Sequence, residues 1–258
     1  MVVKNEMIEL LTLFLLAMFL EFIDNGLGGG FGTIMSPLLI LFGYDPKIVV
    51  PGILFSEMCS GLVGGLSHAY YKNVNWRAVG VTLTSSLAAM AIASFLVGTL
   101  VPSYYIKWYI SLLAVAMGAF IVIRSYKNIR EGRKFNNPMC LLLGGIIGFN
   151  KGSTGGGYGP LSVSGYMLLG LTAATAIGTT TVAEGIACII GFSTYALTTQ
   201  INWGIVASIT LGSVLVDPIS AYLNNRLKKR LEPPFHGRLI GFAMLLLGLF
   251  TVWRLIQG

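Results

Sequence analysis

A chain of 258 residues in which 55% are hydrophobic and only 10% charged carries less than half of the ~25% charge of an average soluble domain. The apolar residues run in long stretches, Leu10 to Leu20 and Val79 to Val101 among them, which excludes a water-soluble globule and indicates a polytopic membrane protein. The net charge of +7 does not point to nucleic acid, because twelve of the 17 Lys and Arg residues sit in three short connections. These are Lys72 and Arg77; Arg124, Lys127, Arg130, Arg133 and Lys134; and Arg226, Lys228, Lys229, Arg230 and Arg238. Clustered cations between apolar segments set topology through the positive-inside rule.

In chain order the apolar segments are 10–25, 31–43, 48–71, 78–101 and 105–124, then 139–149, 157–170, 174–198, 203–223 and 239–256. The first carries Glu6 and Glu9 against Lys4, with no small-residue cleavage site after Leu20, so it is expected to be retained rather than removed as a signal peptide. The last three segments of each series reach the about 20 residues that a spanning helix needs, whereas the first two are short and separated by glycines.

The two series are copies. A shift of 127 places Gly28-Gly29-Gly30 on Gly155-Gly156-Gly157, Gly32 on Gly159, Gly43 on Gly170, Glu57 on Glu184, Gly64 on Gly191 and Asn75-Trp76 on Asn202-Trp203. The expected architecture is therefore all-α: a first repeat at 1–126, a basic cytoplasmic linker at 127–137 and a second repeat at 138–258. Each repeat has a Gly-broken short helix pair, either a re-entrant hairpin or discontinuous helices, followed by three long transmembrane helices. An odd number of crossings per half makes the two orientations opposite. With the basic loops inside, both termini lie outside the inner (cytoplasmic) membrane.

Gly is present 33 times, where about 7% is average usage. At membrane depth a run such as Asn25-Gly26-Leu27-Gly28-Gly29-Gly30 or Lys151-Gly152-Ser153-Thr154-Gly155-Gly156-Gly157 is tolerated only against protein or a polar cavity. Matching breaks in two halves are the best pointer to a transport site. Pro160 suits the first turn of a half-helix. Two half-helix N-termini facing each other near the midplane offer unpaired N–H groups and about one positive unit between them. That combination suits an oxyanion. Asn25, Gly28, Gly29, Gly30, Ser153, Thr154, Gly155, Gly156 and Gly157 are the candidate substrate-binding residues from these breaks. The alternative use of the glycines is close helix packing.

At these residues the chain resembles the TauE/SafE sulfite exporter family. The resemblance rests on Gly26-Leu27-Gly28-Gly29-Gly30 with Pro37-Leu38-Leu39, on the second copy at Gly155 to Pro160, on Ala176-Ile177-Gly178-Thr179-Thr180, and on the two Asn-Trp pairs. It spans nearly the whole chain, and it adds Thr179 and Thr180 to the candidate site. The first half departs from the motif with Val49-Val50-Pro51-Gly52. The resemblance implies movement of sulfur oxyanions or small organosulfonates, such as sulfite, thiosulfate or sulfoacetate, through the inner membrane. It calls for no cofactor and no metal.

Five of the ten acidic residues, Glu21, Asp24, Glu57, Glu184 and Asp217, fall inside or at the rim of apolar segments, where a charge costs several kcal/mol. A buried carboxyl holds its proton more tightly than one in water. Glu57 and Glu184, symmetry mates, and Asp24 are thus the candidates for proton coupling, with sodium the other open coupling ion. Lys151, the one cation deep in the broken region, either faces the substrate or pairs with Asp24, on which the repeat aligns it. His68, beside Tyr70 and Tyr71, reads as interfacial. Trp76 and Trp203 read as belt anchors, Asp217-Pro218 as a kink, and Cys59, Cys140 and Cys188 as packing residues.

A secondary transporter working by alternating access is the leading expectation, with a passive anion channel as the rival. The chain has no His-Glu-x-x-His, Gly-x-Ser-x-Gly or Walker sequence, which leaves an intramembrane enzyme or a scaffold subunit remote. The expected partners are a small anion and the lipid bilayer, with association into a homodimer left open.

Overall fold

The computed structural model describes residues 2–27, 30–126, 136–226 and 235–257, and these contain ten α-helices and no strand. They are α1 (Val2–Leu27), α2 (Phe31–Leu41), α3 (Pro46–Tyr70), α4 (Trp76–Thr99), α5 (Ser103–Ser125), α6 (Asn137–Thr154), α7 (Tyr158–Leu168), α8 (Ala173–Thr198), α9 (Trp203–Arg226) and α10 (Phe235–Gln257). By length and composition α3, α4, α5, α8, α9 and the Arg238–Gln257 part of α10 can each cross a membrane. The protein is a multi-pass membrane protein. The expected linker at 127–137 lies outside the described residues up to 135, as do seven of the twelve loop cations.

The local chemistry of the helix starts explains the doubled Asn-Trp pairs. Asn75 accepts from Ala78 N–H at 3.0 Å and Asn202 accepts from Ile205 N–H at 3.2 Å. Each Asn thus satisfies an N–H left over in the first turn of its helix. Trp76 and Trp203, next in sequence, are exposed on the outside of the bundle, as belt anchors would be. Asp45 does the same for α3, accepting from Lys47 N–H at 2.8 Å with Pro46 in the first turn.

Helices α3 and α8 cross at the centre, where Gly61 lies against Gly185 so closely that a Cβ on Gly61 would be 2.4 Å from the Gly185 Cα. Small residues at this crossing let the backbones touch. Around this pair α1 packs along α9, α6 along α4, and α5 along α10. The helix ends sort into two groups. At one end the Tyr44 hydroxyl meets Glu9, Ser103 donates to Asp45 at 2.9 Å, and Arg254 reaches the Leu41 carbonyl. At the other, Arg77 donates to Asn137 at 3.1 Å, Tyr71 lies near Tyr222, and Arg238 covers the Tyr126 ring at 4.3 Å.

These contacts decide what the short segments do. The end of α2 returns to the beginning of α1, through Tyr44 and Glu9 and through a shared core of Leu13, Ala17, Leu20, Phe31, Met35 and Leu39. The end of α7 returns to the beginning of α6, where Tyr166 and Leu169 pack on Cys140 and Leu143. Both pairs are hairpins, not discontinuous crossings, and they enter from opposite ends of the bundle. Their tips meet inside it.

Candidate functional site

Each hairpin tip turns on a glycine in the left-handed region. Gly30 (φ 79°) heads α2 and Gly157 (φ 80°) heads α7, while Gly155 (φ 71°) closes α6. L-residues pay about 1–2 kcal/mol for this conformation. The tips also touch: a Cβ on Gly32 would fall 1.8 Å from the Gly155 carbonyl oxygen, and one on Gly156 would fall 2.8 Å from the Thr33 Cα. Hydroxyls stitch the contact. Ser36 donates to the Thr154 carbonyl at 2.6 Å, Gly157 N–H donates to Thr33 Oγ1 at 2.8 Å, and Gly156 N–H donates to Thr154 Oγ1 at 3.0 Å. Thr33 and Ser36 carry no signal of their own in the sequence, since a hydroxyl in an apolar helix commonly bonds its own backbone.

The N-terminus of α2 is occupied by the protein's own carboxylates. Gly30 N–H donates to Asp24 Oδ1 at 2.7 Å, Phe31 N–H to Asp24 Oδ2 at 2.6 Å, and Gly32 N–H to Glu57 Oε1 at 3.1 Å. Negative groups are favoured there by the helix dipole and the orphan N–H groups together. Asp24 and Glu57 therefore sit where an oxyanion would sit.

Lys151, in the last turn of α6 and 1% exposed, forms ion pairs with Glu57 and, at 2.7 Å, with Glu184 Oε1. The pairing with Asp24 suggested by the repeat does not form. Its reason is local: both Asp24 oxygens are taken by the α2 backbone, whereas α3 and α8 bring Glu57 and Glu184 together from either side of the Lys151 ammonium. A buried ammonium without such partners would be very costly. With Lys151 ionised, the cluster of Asp24, Glu57, Glu184 and Lys151 has more acidic than basic groups, so the tips offer less free positive charge than their glycine turns alone suggest.

Beside this cluster is a small cavity of about 20 Å³ whose lining includes Glu21, Asp24, Glu57, Glu184, Asn25 and Thr180. Asn25, 2% exposed, is the hub of its polar side. Its Nδ2 donates to Asp217 Oδ1 at 2.9 Å, and its Oδ1 accepts from Thr181 at 3.2 Å and lies 2.8 Å from His68 Nε2. Gly64 leaves the room for the amide, since a Cβ there would fall 2.5 Å from Asn25 Nδ2. His68 is accordingly not interfacial: it is fully buried, on the face of α3 opposite to the one that Tyr70 suggests. Helix α9 continues through Pro218, and Asp217 is buried inside the bundle.

The remaining candidates separate. Thr180 lines the cavity and shares a hydrogen bond with Ser162 at 2.9 Å. Thr179 accepts from Asn75 N–H at 2.9 Å and so holds the start of α4, away from the cavity. Ser153 is buried in the last turn of α6. Gly28 and Gly29 lie outside the described residues. The three cysteines are free thiols, Cys140 and Cys188 in the core and Cys59 half-buried.

The sequence profile of the family described as sulfite exporter TauE/SafE matches residues 13–251. Among curated proteins, the chain is similar to "Probable membrane transporter protein YtnM" of Bacillus subtilis, 28% identical over 90% of this chain and 79% of the relative. It is also similar to "Probable membrane transporter protein YjnA" of the same organism, 22% identical over 85% of this chain and 92% of the relative. No solved structure matches it significantly. With the family profile covering almost the entire helical bundle, hairpin tips included, this membrane transporter belongs to the TauE/SafE sulfite exporter family.

Proposed function

We propose that the protein is a secondary transporter, working as an exporter, of a small sulfur oxyanion or organosulfonate such as sulfite, thiosulfate or sulfoacetate. It works by alternating access of two inverted halves, 1–126 and 138–258, with the anion held at the tips of the two hairpins. The observation that carries the reading is the meeting of two left-handed glycine turns, Gly30 and Gly157, each at the start of a short helix inside the bundle. Asp24 and Glu57 on the α2 N–H groups are the resting occupants of that position. An incoming oxyanion displaces the Asp24 carboxylate and takes over its N–H donors, with the Thr33, Ser153 and Thr154 hydroxyls near by. The end of the bundle bearing Lys72, Arg77, Arg124, Arg226 and Arg238 faces the cytoplasm, and both termini face outward across the inner membrane.

The test is counterflow in vesicles holding the purified protein. Sulfite or sulfoacetate loaded inside is expected to drive saturable uptake of labelled anion, which a passive channel does not do. If the protein neither binds nor moves any sulfur oxyanion or organosulfonate, the reading is overturned.

A further inference from the structure

Of the five acidic residues within the bundle, three are spoken for. Asp24 uses both oxygens on the α2 backbone, Glu57 holds Gly32 N–H and Lys151, and Glu184 holds Lys151. The other two, Glu21 on α1 and Asp217 on α9, lie where these helices pack, with Glu21 one helical turn before Asn25, whose amide donates to Asp217. Glu21 is 4% and Asp217 0% exposed. Glu21 Oε2 and Asp217 Oδ2 have no hydrogen-bond partner among the described residues. Asp217 has one donor on its other oxygen, the Asn25 amide, and Glu21 lines the cavity beside the hairpin tips.

Two neighbouring buried carboxyl groups, with no ion pair to a cation among the described residues, cannot both be ionised. The acidic groups facing them, Asp24 from α1, Glu57 from α3 and Glu184 from α8, make this worse. The Cys188 thiol of α8 also stands near Glu21, His68 of α3 reaches Asp217 through Asn25, and α2 contributes no titratable side chain. The nearest fixed cation, Lys151 on α6, is committed to Glu57 and Glu184. A hard metal cation in the same place would seek six or more oxygen ligands, whereas the pair leaves two orphan oxygens. One proton satisfies both.

We propose that Glu21 and Asp217 share one proton in this conformation and that this pair is the proton-exchanging group of the protein, rather than Glu57, Glu184 or Asp24. The inference deepens the transport reading by naming a coupling ion and its seat. Its direct consequence does not depend on any anion. When the cavity opens to water, the pair releases its proton to it, and Asn25 and His68 hold Asp217 in place through the exchange.

Infrared spectroscopy of the purified protein without substrate tests this. The wild type is expected to show the carbonyl stretch of a buried protonated carboxyl at neutral pH. Glu21→Gln and Asp217→Asn are each expected to lose it, because the amide introduced donates to the remaining carboxylate, and the double variant loses it because no carboxyl of the pair is left. The isosteric single variants guard against loss of the fold. A band unchanged in all three variants would overturn the proposal. In vesicles, an imposed pH gradient is expected to drive anion accumulation by the wild type and not by Glu21→Gln. Accumulation driven by a sodium gradient and abolished by the same substitution would overturn the proton assignment. Failure of anion transport with the infrared result intact would sink the transport reading and leave the shared proton standing.

Discussion

Gly30 and Gly157, 127 residues apart, hold the same left-handed backbone, φ 79° and φ 80°, at the start of the two short helices that meet inside the bundle. What surrounds them differs. A Cβ on Gly30 would lie 2.6 Å from the ring of Pro160, whereas one on Gly157 would first meet Asn150 and Leu113 side chains at 3.3 Å. Gly157→Ala is expected to cost about 1–2 kcal/mol, the left-handed penalty alone, and Gly30→Ala more, because the proline ring cannot swing away. Thermal unfolding in detergent checks the order of the two.

Gly32→Ala separates touching backbones rather than side chains. Its Cβ would be 1.8 Å from the Gly155 carbonyl oxygen, so the tips must part and the Ser36–Thr154 and Gly157–Thr33 hydrogen bonds go with them. Transport is expected to be lost. Gly80→Ala, in the interior of α4 with open space around it, is the control. It is expected to stabilise by about 0.5–1 kcal/mol, the usual gain of Ala over Gly in a helix. Comparable loss of transport in both variants would remove the special role of the tip contact.

The helix framework was legible in the sequence because its signals are local and doubled. Glycines and Asn-Trp pairs recur at 127, and α2 and α7, α3 and α8, α4 and α9 begin at just this spacing, at Phe31 and Tyr158, Pro46 and Ala173, Trp76 and Trp203. The choice between re-entrant and discontinuous segments was not, since it depends on Tyr44 finding Glu9 and Tyr166 finding Cys140 across the hairpins. Charge pairing was equally opaque. Alignment put Lys151 opposite Asp24, but a helix decides by its rotation which side chains converge, and it turned Lys151 to Glu57 and Glu184. His68 shows the same limit: its neighbours Tyr70 and Tyr71 suggested an interface, while the ring lies buried on Asn25.

Lys151→Met leaves Glu57 and Glu184 buried without their cation. Breaking a buried ion pair from one side typically costs about 3–5 kcal/mol, and a loss of this order is expected in unfolding experiments. The triple variant Lys151→Met, Glu57→Gln, Glu184→Gln removes all three charges and is expected to recover most of that stability. If the triple variant is no more stable than Lys151→Met alone, the ammonium holds the fold through something other than these carboxylates.

Asp24→Asn changes the competition at the α2 N-terminus. The carboxylate accepts from Gly30 and Phe31 N–H, and an amide can accept through its oxygen alone and carries no charge to set against the helix dipole. Some stability is lost with the cap, about 0.5–2 kcal/mol. The N–H donors, however, become easier for an oxyanion to claim, and the local charge becomes less negative by one. Sulfite is therefore expected to bind more tightly to Asp24→Asn than to the wild type, measured by calorimetry on the purified proteins, while turnover falls because release no longer has a carboxylate to displace the anion. Weaker binding in Asp24→Asn would mean that Asp24 supports the anion rather than competing with it, and the anion's place would have to be sought away from the α2 N–H groups, towards α7.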